Sequence, residues 1–174
     1  MKIDSFERLF VHTLKDLYSA EQQIIKALPK MEKAASTPQL KEAFQNHLDE
    51  TKVQLERLKK IFEHLDFSPT GHVCEGIKGI IEEGKEIIQM EGIPSEVKDA
   101  ALIEVAQKVE HYEIAGYGTA AHFAELLGDR EAAQLLGETL EEEKKTDKKL
   151  NKLAKNIVNK QAIQKDQGEQ PRAT

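Results

Sequence analysis

Sulfur is almost absent from this chain: among 174 residues there is one cysteine, Cys74, and there is no tryptophan at all. A single thiol excludes an internal disulfide framework and any thiolate-rich zinc site, so whatever chemistry the chain supports must use oxygen or imidazole. No stretch approaches the ~18 consecutive apolar residues of a membrane-spanning helix, so no membrane partner is expected. Positive charge is also short. The 25 Lys and Arg fall below the 31 Asp and Glu, for a formal charge of −6, which argues against a general nucleic-acid binder. Residues 1–7 mix polar, apolar and acidic side chains, without the apolar core of a secretory signal or the acid-poor character of a transit peptide, and a cytoplasmic location is expected. The chain has no phosphate-cradling glycine loop, no nucleophile elbow and no basic aromatic patch, so hydrolase and nucleotide-binding readings have no local support.

What the chain does have is charge and helical punctuation: 32% charged residues against 5% aromatics, with ten glycines and five prolines spread thinly. That composition suits long amphipathic helices rather than a sheet. Asp4 with Glu7 reads as a capping box opening a first helix that runs to about Ala35, with a kink expected at Pro29. Thr37 as N-cap and Pro38 at the first helical position open a second helix, reaching about Leu65. Phe67 to Gly71 ends it. A shorter, weaker helix is expected within Cys74 to Met90, rich in isoleucine (77, 80, 81, 87, 88) but interrupted by glycine. Ser95 caps a third long helix to Leu127, Gly128-Asp129 turns the chain, and a fourth long helix runs to about Asn159. Residues 161–174 lack apolar period and read as a disordered tail. The fold class is therefore all-α, one four-helix bundle over residues 1–160 with two tight hairpins and one long crossover carrying a short fifth helix. A single long crossover is the connectivity of ferritin-like bundles, and it makes the second and third long helices parallel.

Acids stand where leucines belong. Read at alternating steps of three and four, the first helix gives Phe10, Leu14, Leu17, Glu21, Ile24, Leu28 and Met31; the third gives Ile103, Ala106, Glu110, Glu113, Tyr117 and Ala120; the fourth gives Leu136, Leu140, Glu143, Asp147 and Leu150. The second helix is less clean, with Leu40, Phe44, His47, Thr51, Leu55 and Leu58 on its face, Gln54 within it and Glu50 at its edge. Isolated ionised carboxylates facing a bundle core cost several kcal/mol each unless paired, protonated or bound to a cation. A divalent metal pair shared by carboxylates of facing helices is one physical reason for four helices to carry that cost at one depth. Taken singly, each group has an ordinary explanation: Glu21 reaching solvent or an Arg, Glu50 and Gln54 as a solvated pair, Glu141 to Glu143 paired with the lysines that follow. His47 and His111 lie nearest the group and read equally well as core-edge residues donating a proton to a carboxylate.

Four segments, Asp16-Leu17-Tyr18-Ser19-Ala20-Glu21-Gln22-Gln23, His47-Leu48-Asp49-Glu50-Thr51, Val109-Glu110-His111-Tyr112-Glu113-Ile114-Ala115 and Leu140-Glu141-Glu142-Glu143-Lys144, resemble the YciF-like family of bacterial ferritin-like stress proteins and, more distantly, rubrerythrins. The resemblance spans roughly residues 2–160. It implies a homodimeric four-helix bundle with a dinuclear centre of two divalent ions, iron or manganese, in which Glu21, Glu50, Glu110 and Glu143 are the core ligands, Glu113 an additional or switching ligand, and Gln54 and Asp147 the terminal ones. It also implies a stress-response role with peroxide or dioxygen as the small-molecule oxidant. The chain departs from the usual Glu-x-x-His pair of such centres, because Val53 follows Glu50 and Thr146 follows Glu143 at that spacing. Gln54 and Asp147 would then complete an oxygen-only site, suited to manganese or iron rather than zinc or copper. Peroxidase- or ferroxidase-like catalysis stays open beside a non-catalytic, self-associating bundle with a vestigial carboxylate site. The isoleucines of the crossover helix suggest a surface for the homodimer.

Overall fold

The computed structural model describes residues 2–169, with the side chains of 166–169 excluded, and places them in α1 (Phe6–Ala34), α2 (Pro38–His64), α3 (Glu75–Gln89), α4 (Ser95–Leu127), α5 (Arg130–Leu153), a π-helical turn (Ala154–Val158) and α6 (Asn159–Glu169). Helix ends follow side-chain chemistry. Ser5, in extended conformation, accepts from the Arg8 amide at 3.1 Å and caps α1, so the cap lies one residue beyond the expected Asp4. Glu7 then sits in the first turn, where its charge faces the helix dipole. Gly128 closes α4 in left-handed conformation (φ 79°), and Asp129 at once caps α5 by accepting from Ala132. Pro29 lies within α1 without ending it.

Two apolar clusters give the helix directions. At one end, late α1 (Ile24, Leu28, Met31) packs with early α2 (Leu40, Phe44) and early α4 (Leu102, Ile103, Ala106). At the other, early α1 (Phe10, Leu14, Leu17) packs with late α2 (Leu58, Ile61, Phe62) and late α4 (Tyr117, Ala120, Ala124). Hence α1 is antiparallel to both, and α2 and α4 run parallel, as a single long crossover requires. The polar group described below lies between the clusters.

Thr37 stands at the N-cap of α2 but makes no side-chain cap. Its hydroxyl donates to the buried carboxylate of Asp99 at 2.5 Å, and Asp99 also accepts from the amides of Ser36 at 2.8 Å and Thr37 at 2.7 Å. This one carboxylate satisfies the α1–α2 turn and ties it to the first turn of α4. The crossover helix α3 is likewise tied down: Ile77 is fully buried, and Ile80, Ile81, Ile87 and Ile88 pack against the bundle core. Of the isoleucines expected to offer a dimer surface, Ile77 is thus buried and Ile80, Ile81, Ile87 and Ile88 are half-buried, because α3 lies along α1 and α4. Beyond α5 the helix continues through the π turn, burying Ala154 and Val158, into α6, which packs against α4. Of the segment read as a disordered tail, residues 161–169 belong to α6, and 170–174 lie outside the described residues.

Replacing Asp99 with Ala leaves two amides and a hydroxyl without their charged acceptor. Hydrogen bonds to charged groups contribute ~1.5 to 3 kcal/mol each, partly recovered by water, so the variant is expected to lose about 3 kcal/mol, or roughly 6–12 °C in melting temperature for a chain of this size. A shift under 2 °C in thermal scans would contradict the tie.

Candidate metal centre

Each long helix delivers at least one polar side chain to the same buried level. α1 contributes Glu21, α2 His47 and Gln54, α4 Glu110 and Glu113, and α5 Glu143. The four carboxylates are at most 1% exposed, and His47 is 4% exposed. Helical spacing accounts for this placement: Leu17–Glu21–Ile24, Phe44–His47–Thr51–Gln54–Leu58 and Leu136–Thr139–Glu143–Thr146–Leu150 are continuous buried seams. Close helix approach assists it, since a Cβ on Gly116 would stand 2.7 Å from Leu17.

One atom each of His47, Glu110 and Glu143 fall within 4.8 Å of one another, forming a buried group able to hold a metal ion. His47 Nε2 is 3.3 Å from a Glu110 oxygen but not aligned as a hydrogen bond, and both ring nitrogens lack hydrogen-bond partners. Both oxygens of Glu110 and of Glu113, and one each of Glu21 and Glu143, are unsatisfied as well. Glu110 lies within hydrogen-bonding reach of Glu143, and Glu113 of Glu21, so a proton on one carboxyl can be shared with its neighbour; the remaining partners are neutral. Tyr117, fully buried, donates its hydroxyl to Glu21, and the Gln54 amide donates to Glu143 at 2.5 Å and to Glu142 at 3.1 Å. The cation nearest in sequence terms goes elsewhere: Arg57 grips Glu142 in a two-pronged contact at 2.6 and 2.8 Å, and Lys144 pairs with Glu141. Among the described residues no lysine or arginine forms an ion pair with Glu21, Glu110, Glu113 or Glu143.

The electrostatic consequence is a set of acids reluctant to ionise. Burial, then the charge of Glu143, pushes Glu21 and Glu110 well above the usual carboxyl range; burial, then Glu21, does the same to Glu113; and burial raises Glu143 to about 7. Burial also lowers His47 to about 4, so its imidazole is neutral and free to ligate.

Two residues expected in the set stand apart. Glu50 is exposed, accepting from the Thr146 hydroxyl at 3.4 Å at the rim. Asp147 is half-buried and faces Gln107 at 3.2 Å and exposed His111 at 3.3 Å. The buried seam of α5 steps from Glu143 to Thr146 rather than to Asp147, and that of α2 runs through His47 and Thr51, which turns Glu50 outward. His47 is the donor that the sequence argument left as a core-edge group; its place in the apolar row between Phe44 and Thr51 was the available signal. The buried group able to hold a metal ion thus includes an imidazole beside its carboxylates.

The model of "Domain of unknown function (DUF892)" matches residues 5–163. Protein YciF of Escherichia coli (strain K12) is 50% identical over 166 residues, covering 95% of this chain and 99% of that one. The crystal structure of the E. coli stress protein YciF superposes with a TM-score of 0.86, covering 91% of this chain and 99% of the other at 50% identity. That of YcfI from Rhodopseudomonas palustris, for which a structural role is proposed, gives 0.82 at 44% identity, covering 86% and 95%.

Proton linkage fixes a sign for the metal-free protein. The stability contributed by the raised carboxyls is present below their ordinary value of 4.5 and is lost as pH rises, for Glu143 through about 7. His47 acts oppositely: its contribution is present above its ordinary 6.5 and is lost as pH falls toward about 4. Above pH 6.5 only the carboxyls still act, each one that remains protonated costing about 1.4 kcal/mol per pH unit. In chelator, the protein is expected to melt lower at pH 8 than at pH 6.5; a melting temperature that holds or rises over that interval would contradict the assignment.

Proposed function

The chain belongs to the DUF892 family, and on that footing we propose that its buried acids are the ligands of a dinuclear centre of two divalent ions, iron or manganese, serving the bacterial stress response. The observation that carries this reading is the set of unsatisfied, solvent-excluded donors on four helices with no cationic side chain to balance them. Four carboxylates and two divalent ions sum to neutrality, which removes the cost of buried uncompensated charge. His47, Glu110 and Glu143 would hold one ion, and Glu21 and Glu113 the other. One imidazole among carboxylates suits iron or manganese better than copper, and the absence of thiolates disfavours a structural zinc. Such a pair would supply the electrons that reduce peroxide or dioxygen.

The chain's own residues supply the setting. Tyr117 orients Glu21 through its hydroxyl, and Gln54, held also by Glu142, orients Glu143. Arg57 fixes Glu142 from outside and so keeps a guanidinium from neutralising the ligands. These supports resemble the outer partners that orient ligands in metal sites generally. A second reading, a non-catalytic bundle, is favoured by the structural role proposed for the R. palustris relative; it would leave the acids as vestiges.

The two part on stability. A ligand bound only by the folded state stabilises by mass action, ~2.7 kcal/mol at a hundredfold excess over its dissociation constant, so manganous or anaerobic ferrous ion is expected to raise the melting temperature by roughly 5–10 °C. Glu143→Leu, which restores the apolar seam, is expected to stabilise the metal-free protein and weaken that response. A wild-type protein indifferent to both ions, with a destabilised Glu143→Leu variant, would replace the metal reading with the structural one.

A further inference from the structure

A cavity of about 230 Å³ opens between α1, α3 and α4 and runs inward to His47 and Glu110. Its wall is apolar, built from residues such as Ile24, Leu28, Ile81, Ile88, Val105 and Val109. Gly84 belongs to the same wall, and a Cβ there would come within 3.1 Å of Val105, so the small residue keeps α3 close to α4 while leaving the space beside it. Its mouth is basic. Lys26, Lys30, Lys78 and Lys85 line it against one acid, Glu82. Lys78 and Lys85 are paired with Glu75 and Glu82, whereas Lys26 and Lys30, one helical turn apart and exposed, form no ion pair among the described residues. The inner end carries the unsatisfied nitrogens of His47 and oxygens of Glu110, both residues more than nine-tenths buried.

We propose that this cavity binds an amphipathic anion, a medium-chain aliphatic carboxylate, with its head between Lys26 and Lys30 and its chain pointing toward His47 and Glu110. The orientation follows from charge: the free cations, Lys26 and Lys30, are at the mouth, and the inner end at His47 and Glu110 has no lysine or arginine to receive an anionic head. The length follows from the run of the wall, which extends from Lys26 and Lys30 at the mouth past Ile81, Ile88 and Val105 to His47 and Glu110 inside. This binding does not rest on the reading of the acids as metal ligands.

Octanoate titrated calorimetrically into metal-free protein tests the binding, with butyrate as the short anion and octan-1-ol as the neutral chain. Octanoate is expected to saturate one site per chain and to bind at least tenfold more tightly than butyrate. The exposed pair Lys26→Glu/Lys30→Glu is expected to weaken octanoate at least tenfold while leaving octan-1-ol within twofold, and Ala27→Trp, which fills the wall from α1, to abolish both. No saturable octanoate binding overturns the proposal, and so does binding untouched by the lysine reversal or by Ala27→Trp. A parallel manganese titration of the wild type separates the two readings: octanoate without manganese binding retains the cavity and discards the centre, while manganese without octanoate does the reverse.

Discussion

The cost of burying carboxylates governs this bundle. Glu21, Glu110, Glu113 and Glu143 sit between two well-packed apolar clusters, where leucines would contribute stability and acids subtract it. Besides one another, their partners are a tyrosine and a glutamine, which can orient a carboxylate but not neutralise it. The rest of the chain compensates: long helices, full apolar layers above and below the acids, and an arginine directed to Glu142, outside the ring of buried acids. A bundle built only for stability has no reason to carry such a layer. In the proposed reading the deficit is the binding energy of the centre, since a site that is uncomfortable empty gains most from cations.

Topology puts the four helices in register for this. The Asp99 carboxylate fixes the α1–α2 turn against the start of α4, and α3 covers the flank of α1 and α4 with its isoleucines. Register errors at either point would slide Glu21 past Glu113, or His47 past Glu110. The same crossover creates the lysine-rimmed cavity, because Gly84 brings α3 close to α4 where larger residues would hold it off.

Much of this was legible in the sequence, for identifiable reasons. Gly128-Asp129 has one structural meaning, and Glu21, Glu110, Glu113 and Glu143 were found because each stands mid-way along a row that begins and ends on apolar residues. Asp147 and Glu50 were not legible in this way, since steps of three and four both fit a helix and only packing chooses Thr146 over Asp147. The role of His47 stayed open because a single histidine in an apolar row has common structural explanations, and nothing local shows that Glu110 lies across from it. The isoleucines of α3 gave their period but not how far α1 and α4 cover them. The shift of the α1 cap to Ser5 is a difference of one hydroxyl.

The most direct measurement of the central claim is the metal content of the protein expressed in iron- and manganese-replete medium and purified without chelators, quantified by elemental mass spectrometry together with protein concentration. The account predicts close to two ions per chain, iron or manganese, falling sharply in a Glu110→Gln/Glu143→Gln variant that keeps its helical spectrum. Wild-type protein carrying no stoichiometric metal, and taking none up on anaerobic reconstitution with ferrous or manganous ion, would contradict it.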